Sequence, residues 1–327
     1  MNVLWKLGGF AAASAAIFGA ACGAGGAVPA ISNTANEHAQ HGADTRPRQG
    51  GEPDGHADHG KPAASTPPGG LHVAEGGYSL DLRTRTLTAA RGGDLSFVIR
   101  DLKGRPVTAY ERAHGKELHL IVASRDLRTY RHLHPGRSAD GTWSTPVDLP
   151  AAGGYRVFAD FKPAHRGQGV TLGADLAVAG TYRPAGLPGP SSTATVDGYQ
   201  VTLGGDLRAG VAGRLTLTVS RDGRKITDLE PYLGAYGHLV ALRSGDLAYL
   251  HVHPNGEPED GATEPGPDVS FTTTAPSAGT YRLFFDFRHQ GTVRTAAFTV
   301  RVGLSGEEQP PASGEAAERH ESDAHRH

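Results

Sequence analysis

The stretch YGHLVALRSGDLAYLHVHP, Tyr236–Pro254, decides the predicted fold because it has the pattern of a β-hairpin. A turn-like Arg-Ser-Gly-Asp segment separates two apolar runs, which is typical of hairpins. A two-residue loop at Ser244–Gly245 would set His238 directly opposite His251, with His253 as the diagonal neighbour. Since alternate residues of a strand share one face, we expect the three imidazoles on the same side.

An earlier stretch, Glu117–Pro135, repeats this spacing with the sequence ELHLIVASRDLRTYRHLHP. Both stretches follow the pattern H-x12-H-x-H-P. A turn centred on Arg125–Asp126 would place His119 opposite His132, with His134 beside them. The sequence therefore predicts two clusters of three histidines, one in each copy.

The hairpins belong to a longer internal repeat. PSAGTYRLFFDF at residues 276–287 matches PAAGGYRVFADF at residues 150–161. Short alternating runs with turn signals between them, and almost no helical periodicity, predict an all-β chain of two tandem immunoglobulin-like β-sandwich domains. The Gly-x-Tyr segment in each copy resembles the start of the sixth strand of immunoglobulin-like sandwiches, where a tyrosine anchors the corner. The cysteine and tryptophan landmarks of antibody domains are missing.

Composition shifts divide the chain into six predicted segments. Glycine-, proline- and serine-rich or polar stretches without apolar periodicity are typical of linkers and tails. The predicted order is a signal peptide at 1–22, a disordered linker at 23–70, the first sandwich at 71–181, a linker at 182–197, the second sandwich at 198–302 and a disordered tail at 303–327.

The N-terminus has the pattern of an export signal, with Lys6 before the short apolar run at residues 7–21. The run ends at Cys22, and Gly-Ala-Ala-Cys resembles the bacterial lipobox, whose cysteine is lipidated. Gly19 stands where that motif usually has leucine. The resemblance implies a lipid anchor on the extracytoplasmic face of the cell membrane, whereas cleavage after Ala30 would give a secreted protein.

Composition also limits the chemistry. The chain of 327 residues has a formal net charge of −2, which gives no electrostatic support for a nucleic-acid partner. Its only cysteine is Cys22 and its only methionine is Met1, so a blue-copper centre is ruled out. No nucleophile elbow, phosphate loop or HExxH motif is present, and we expect no enzyme. A three-histidine zinc with an open position is the hydrolytic alternative.

Convergent imidazoles predict a metal site in each domain, because neutral histidines suit Cu(II), Zn(II) or Ni(II) and poorly suit Ca or Mg. The candidate ligands are His119, His132 and His134 in the first domain and His238, His251 and His253 in the second. Asp160 and Asp286 are candidates for a fourth ligand, and His165 and His289 are weaker ones. Since binding needs unprotonated imidazole, it should weaken below about pH 6.

The histidine face of the second hairpin is also partly apolar, since Val240, Leu242 and Tyr249 share it. Such a face predicts shelter against the other domain, and a single six-histidine region at the domain interface would follow. The competing interpretation is that these histidines are structural, because a duplication copies structural residues as faithfully as ligands.

The His-x-His-Pro hairpin, the Gly-x-Tyr-Arg strand and the exported leader resemble a group of secreted or lipid-anchored bacterial proteins suspected of handling copper or other heavy metals. A looser likeness is to periplasmic copper-resistance proteins, which have an immunoglobulin-like sandwich and histidine-based Cu(II) sites. Those proteins use an N-terminal amine in the site, which lipidation or the long linker would prevent here.

The resemblance implies buffering or delivery of Cu(II) or Zn(II) outside the cytoplasm, with a metal-transport protein as a candidate partner. The alternative function is a cell-surface interaction or adhesion module.

Overall fold

The computed structural model describes residues 67–164 and 166–304. The predicted signal peptide with Cys22, nearly all of the first linker, His165 and nearly all of the predicted tail lie outside these ranges. Within them the chain forms strands, turns and loops without a helix. No helix in the described part of the chain is long and apolar enough to cross a membrane.

Two sheets build the first sandwich. Its strands are β1 (Ala74–Glu75), β2 (Tyr78–Leu82), β3 (Thr86–Thr88), β4 (Gly93–Asp101), β5 (Tyr110–Glu111), β6 (Leu118–Ser124), β7 (Tyr130–Leu133), β8 (Gly136–Arg137), β9 (Thr142–Val147), β10 (Gly153–Pro163) and β11 (Val170–Ala179). One sheet has the order β1-β2-β4-β9-β8, and the other has the order β3-β11-β10-β6-β7 with β5 paired to β10.

The second sandwich repeats this plan. Its strands are β12 (Thr193–Val196), β13 (Tyr199–Gly204), β14 (Ala212–Arg221), β15 (Arg224–Lys225), β16 (Gly237–Arg243), β17 (Tyr249–His251), β18 (His253–Pro254), β19 (Asp268–Thr274), β20 (Gly279–His289) and β21 (Thr292–Val302). The sheets have the orders β12-β13-β14-β19-β18, with β15 paired to β14, and β17-β16-β20-β21.

Each sandwich has its own core, because alternate residues of its strands face inward. In the first core Phe97 stacks on Trp143 with ring centroids 6.3 Å apart. In the second, Phe285 stacks on Phe287 at 5.6 Å. The prediction of two tandem immunoglobulin-like sandwiches is confirmed.

Both copies have the tyrosine corner that the Gly-x-Tyr segments predict. The Tyr155 hydroxyl donates to the Ala151 carbonyl oxygen at 2.8 Å. The Tyr281 hydroxyl donates to the Ser277 carbonyl oxygen at 2.9 Å. Both tyrosines are fully buried, so each corner satisfies a buried hydroxyl and fixes the start of a long central strand.

A third apolar cluster, the interdomain core, joins the two sandwiches. It takes five buried residues from each, namely Ile121, Ala123, Leu127, Tyr130 and Phe158 from the first and Val240, Leu242, Leu247, Tyr249 and Phe284 from the second. Tyr130 stacks on Phe284 at 4.1 Å, and Tyr249 lies against Phe158 at 5.6 Å. The predicted shelter of Val240, Leu242 and Tyr249 against the other domain is therefore confirmed.

The two histidine hairpins have a different register from the predicted one. In the first, Ser124 N donates to Thr129 O at 2.9 Å and Ile121 lies opposite His132. His132 is therefore not opposite His119 as predicted. The predicted tight turn is wrong because four residues, not two, form the loop.

The second hairpin has the same deviation. Arg243 N donates to Ala248 O at 3.0 Å, and Val240 lies opposite His251. The predicted two-residue loop at Ser244–Gly245 and the pairing of His238 with His251 are therefore wrong. A shift of two residues preserves the alternation of faces along paired strands, whereas a shift of one would reverse it.

Candidate metal centre

Three histidines of the first sandwich converge at one end of its outer hairpin. His119 lies on β6, His132 lies on β7, and His134 follows β7 directly. One ligand nitrogen from each lies within 4.8 Å of the others. Their ring centroids are 5.4, 5.2 and 4.8 Å apart. Rings bound to one tetrahedral ion at a metal–nitrogen distance near 2 Å would have centroids roughly 5 Å apart.

The hydrogen bond of His119 decides which of its nitrogens can bind a metal. His119 Nε2 lies 3.1 Å from the carbonyl oxygen of Ala113, which can only accept. Nε2 therefore carries the proton in the neutral ring, and Nδ1 keeps a free lone pair. That Nδ1 faces His132 Nε2 at 3.1 Å.

His132 is fixed in the opposite tautomer by the second sandwich. Its Nδ1 lies 2.9 Å from Asp286 Oδ2, and both side chains are almost fully buried. The other oxygen of Asp286 accepts from the Thr295 hydroxyl at 2.5 Å, which holds the carboxylate in place. Because Nδ1–H donates to the carboxylate, the lone pair of the neutral His132 ring is on Nε2.

Two bare nitrogens therefore face each other, His119 Nδ1 and His132 Nε2, in a partly buried site. Two lone pairs at this distance repel unless a proton or a metal ion lies between them. Two nitrogens on one tetrahedral zinc ion would be about 3.3 Å apart, close to the observed separation. The geometry therefore suits a shared cation.

His134 completes the set with an atom that lacks a partner. Its Nε2 is buried and accepts no hydrogen bond from any described residue. Burial, followed by the electrostatic effect of the neighbouring His132 ring, lowers the pKa of His134 to about 3. Burial likewise lowers the pKa of His119 to about 4. Both rings stay neutral at pH 7, and the low pKa values reduce the pH at which protons compete with a metal ion.

His238 of the second sandwich lies beside this triad. Its ring centroid is 6.0 Å from that of His132 and 6.4 Å from that of His119. Its Nε2 lies 2.8 Å from the Tyr232 carbonyl oxygen, so the free lone pair is on Nδ1. Burial lowers the pKa of His238 to about 4. The structure thus brings one predicted ligand of the second domain next to three of the first.

The other two predicted ligands of the second domain are described by their backbone alone. His251 ends β17, whereas His253 begins β18 and pairs with Thr272 in the opposite sheet. The chain thus crosses between sheets at Val252. A separate triad of His238, His251 and His253 remains a prediction.

The candidates for a fourth ligand have other partners in the described part of the chain. Asp286 holds His132, which makes it an orienting partner of a ligand. Asp160 accepts from the Thr171 hydroxyl at 3.1 Å and the Tyr249 hydroxyl at 3.4 Å. His289 lies 2.7 Å from the Tyr199 hydroxyl and 3.1 Å from Asp228.

Sequence reasoning missed the loops that precede the two hairpins. His114 lies on one loop, with its ring 5.5 Å from that of His238. Tyr232 lies at the start of the other loop, 5.7 Å from His238 and 6.1 Å from His134. Both loops carry a glycine four residues before the hairpin histidine, Gly115 and Gly234. Aligning the two copies through these glycines could have identified both loops.

Several solved structures are similar to this chain. The Escherichia coli adhesin FdeC is 17% identical, over 70% of this chain and 65% of the adhesin chain, with a TM-score of 0.24. The D00–D0 domain of intimin is 12% identical, over 68% of this chain and 98% of its own, with a TM-score of 0.22. Invasin, a bacterial integrin-binding protein, is 13% identical, over 68% of this chain and 39% of the invasin chain, with a TM-score of 0.20.

This chain spans less than two thirds of the FdeC and invasin chains. TM-scores this low carry no argument about the fold. The sandwich architecture is established by the strand pairing within each domain. No curated protein matches the sequence.

A model of a protein family matches the chain twice, at residues 72–180 and at residues 194–303. Each match covers the strands of one sandwich, including its histidine hairpin. The family is described as a domain of unknown function, DUF8832. The chain therefore belongs to the DUF8832 family and carries two copies of its domain.

Proposed function

We propose that this chain binds a Zn(II) or Cu(II) ion through His119, His132 and His134 and buffers or delivers that ion outside the cytoplasm. The observation that carries the proposal is the pair of facing nitrogens, His119 Nδ1 and His132 Nε2, 3.1 Å apart. Each ring donates its proton elsewhere, to Ala113 and to Asp286. Both lone pairs are therefore directed toward each other, and His134 offers a ligand nitrogen within 4.8 Å of the ligand nitrogens of these two rings.

The donor set favours particular metals. Three imidazoles suit zinc, copper and nickel, and Cu(II) binds most tightly in the usual order of affinities. The chain has one cysteine and one methionine, both in the N-terminal segment outside the described residues, so a soft site for Cu(I) is disfavoured. Ca and Mg prefer oxygen ligands and fit this site poorly.

Export and anchoring are part of the same proposal. The leader, the lipobox-like Cys22 and the long segment before the first sandwich would place the metal centre at the outer side of the cell membrane. A metal-transport protein would be the partner that receives or supplies the ion. The absence of catalytic motifs still favours binding over catalysis.

The proposal predicts that purified full-length protein binds at least one Zn(II) per chain, judged by the one triad of close ligand nitrogens found among the described side chains. His134→Ala should weaken zinc binding by more than 10-fold, because it removes a ligand without removing a described hydrogen bond. His72→Ala is the matched control, since His72 is exposed. Metal analysis measures the stoichiometry of the wild type. Titration against a chromophoric chelator measures the zinc affinity of the wild type and of both variants.

A folded wild-type protein without stoichiometric metal at neutral pH would favour the second candidate, a cell-surface β-sandwich interaction module. One observation supports this alternative: His132 and Tyr130 of the first sandwich both contact Asp286 of the second. In that case the histidines would fix the two domains against each other. This alternative adds a surface location and protein partners to the β-sandwich fold.

A further inference from the structure

The triad leaves a tetrahedral ion with one open position, and the second sandwich is the nearest source of a ligand. Three histidines fill three of the four positions that zinc prefers. Asp286 is already committed to His132 and Thr295. Among the histidines whose side chains the structure describes, His114 and His238 lie near the triad.

We infer that His238 is the fourth ligand, so that a bound ion joins the first sandwich to the second; this inference rests on the proposed metal site. His238 is the repeat equivalent of His119, and the two rings are held in the same way. Each donates from Nε2 to a carbonyl oxygen of the preceding loop, at Ala113 or Tyr232. Each therefore presents Nδ1 as its ligand atom.

The position of His238 fits a ligand that moves a short distance. Its ring is 6.0 and 6.4 Å from the rings of His132 and His119, against roughly 5 Å for two rings on one ion. The difference is on the order of 1 Å, which a change in side-chain torsion or a small movement of the preceding loop would supply. His238 also lies opposite Asp286 in the pairing of β16 with β20. The same pair of strands thus orients one ligand and supplies another.

His114 is the other candidate for the fourth ligand, but its position in the structure suits that role less well than the position of His238. It lies on a turn with a positive φ of 50° and is only partly buried. Its ring is closer to His238 than to His119, at 5.5 and 6.2 Å. We therefore place it outside the four ligands, beside His238.

Coupling between metal binding and domain docking follows from a bridging ion. Its ligands would come from β6, β7 and the residue that follows β7 on one side, and from β16 on the other. By linkage, whatever strengthens docking strengthens metal binding by the same factor, and the reverse also holds. An ion held by the first sandwich alone would have no such effect on β16.

The test compares the full-length wild type with His238→Gln and His114→Ala. Glutamine keeps a side-chain N–H that can donate to the Tyr232 carbonyl, and circular dichroism reports whether each variant is folded. Zinc affinity is measured by chelator competition, ligation by the absorption intensity of bound Co(II), and docking by hydrogen exchange of β16 with and without zinc.

We expect His238→Gln to weaken zinc binding by at least about 10-fold, to change the Co(II) spectrum and to abolish zinc-dependent protection of β16. His114→Ala should keep all three wild-type values. Unchanged affinity and spectrum in folded His238→Gln, with stoichiometric zinc in the wild type, would overturn the fourth ligand and leave the three-histidine site intact. A loss confined to His114→Ala would also overturn it. No zinc in the wild type would instead refute the proposed function.

Discussion

At the scale of single residues, Asp286 explains how a hydrogen bond can prepare a metal ligand. It accepts from His132 Nδ1 and from Thr295, so its charge is satisfied although the side chain is 3% exposed. A carboxylate in this position fixes the tautomer of a ligand and raises its basicity. Asp160 has the equivalent position in the first domain, where it accepts from Thr171 and Tyr249.

We expect Asp286→Asn to weaken zinc binding by about 10–100-fold, because a neutral amide no longer stabilises the Nδ1–H tautomer of His132. Asp160→Asn is the matched control and should retain the wild-type affinity within a few-fold. Both variants should be titrated with zinc at pH 7.5 after circular dichroism has established that they are folded. Equal losses in the two variants would contradict a specific role for Asp286.

At the scale of secondary-structure elements, the hairpin loops show what the sequence could not predict. Turn residues and alternating apolar runs locate both hairpins and the face that carries the histidines. They do not reveal the loop length, because a leucine, and not a typical turn residue, has the positive φ value in each loop. Leu127 and Leu247 have positive φ values of 56° and 62°, which local propensity disfavours for leucine. Both side chains are buried in the interdomain core, and this tertiary contact offsets the local cost.

We expect Leu247→Ala to lower the free energy of unfolding by about 2–4 kcal/mol, as for other large-to-small changes in a buried apolar cluster. Alanine at this position has the same unfavourable positive φ, so the loss of packing dominates. Leu102→Ala provides the control, since Leu102 is 89% exposed. Urea denaturation followed by circular dichroism gives both values. A change below about 0.5 kcal/mol in Leu247→Ala would show that the loop leucines contribute little.

At the scale of the whole molecule, the two copies face each other with matching contacts. The Tyr130 hydroxyl donates to Asp286 at 3.5 Å, and the Tyr249 hydroxyl donates to Asp160 at 3.4 Å. Each tyrosine also packs on a phenylalanine of the other sandwich. The repeat and the apolar face of one hairpin predict that the copies resemble each other and that this face is sheltered. The position of His238 beside the first triad depends on how the two sandwiches dock. Local sequence patterns do not predict this docking.

This docking makes the stability of the metal-free protein sensitive to acid. His119 and His134 of the first sandwich and His238 of the second have pKa values of about 4, 3 and 4, against 6.5 for a free imidazole. The unfolded chain therefore binds more protons than the folded chain between about pH 6.5 and pH 4, and folding becomes less favourable as the pH falls. Each histidine contributes up to about 1.4 kcal/mol per pH unit in that window.

We expect the urea midpoint of unfolding, measured in excess chelator, to fall between pH 7 and pH 5. His134→Gln should reduce the slope, because glutamine has no proton to gain and keeps a polar group of similar size. His72→Ala, at an exposed position, should leave the slope unchanged. Zinc should raise the midpoint at both pH values, since it binds the folded chain. A midpoint that does not change from pH 7 to pH 5 would mean that the three rings are more solvated than their packing indicates, which would also weaken the case for a sheltered ion.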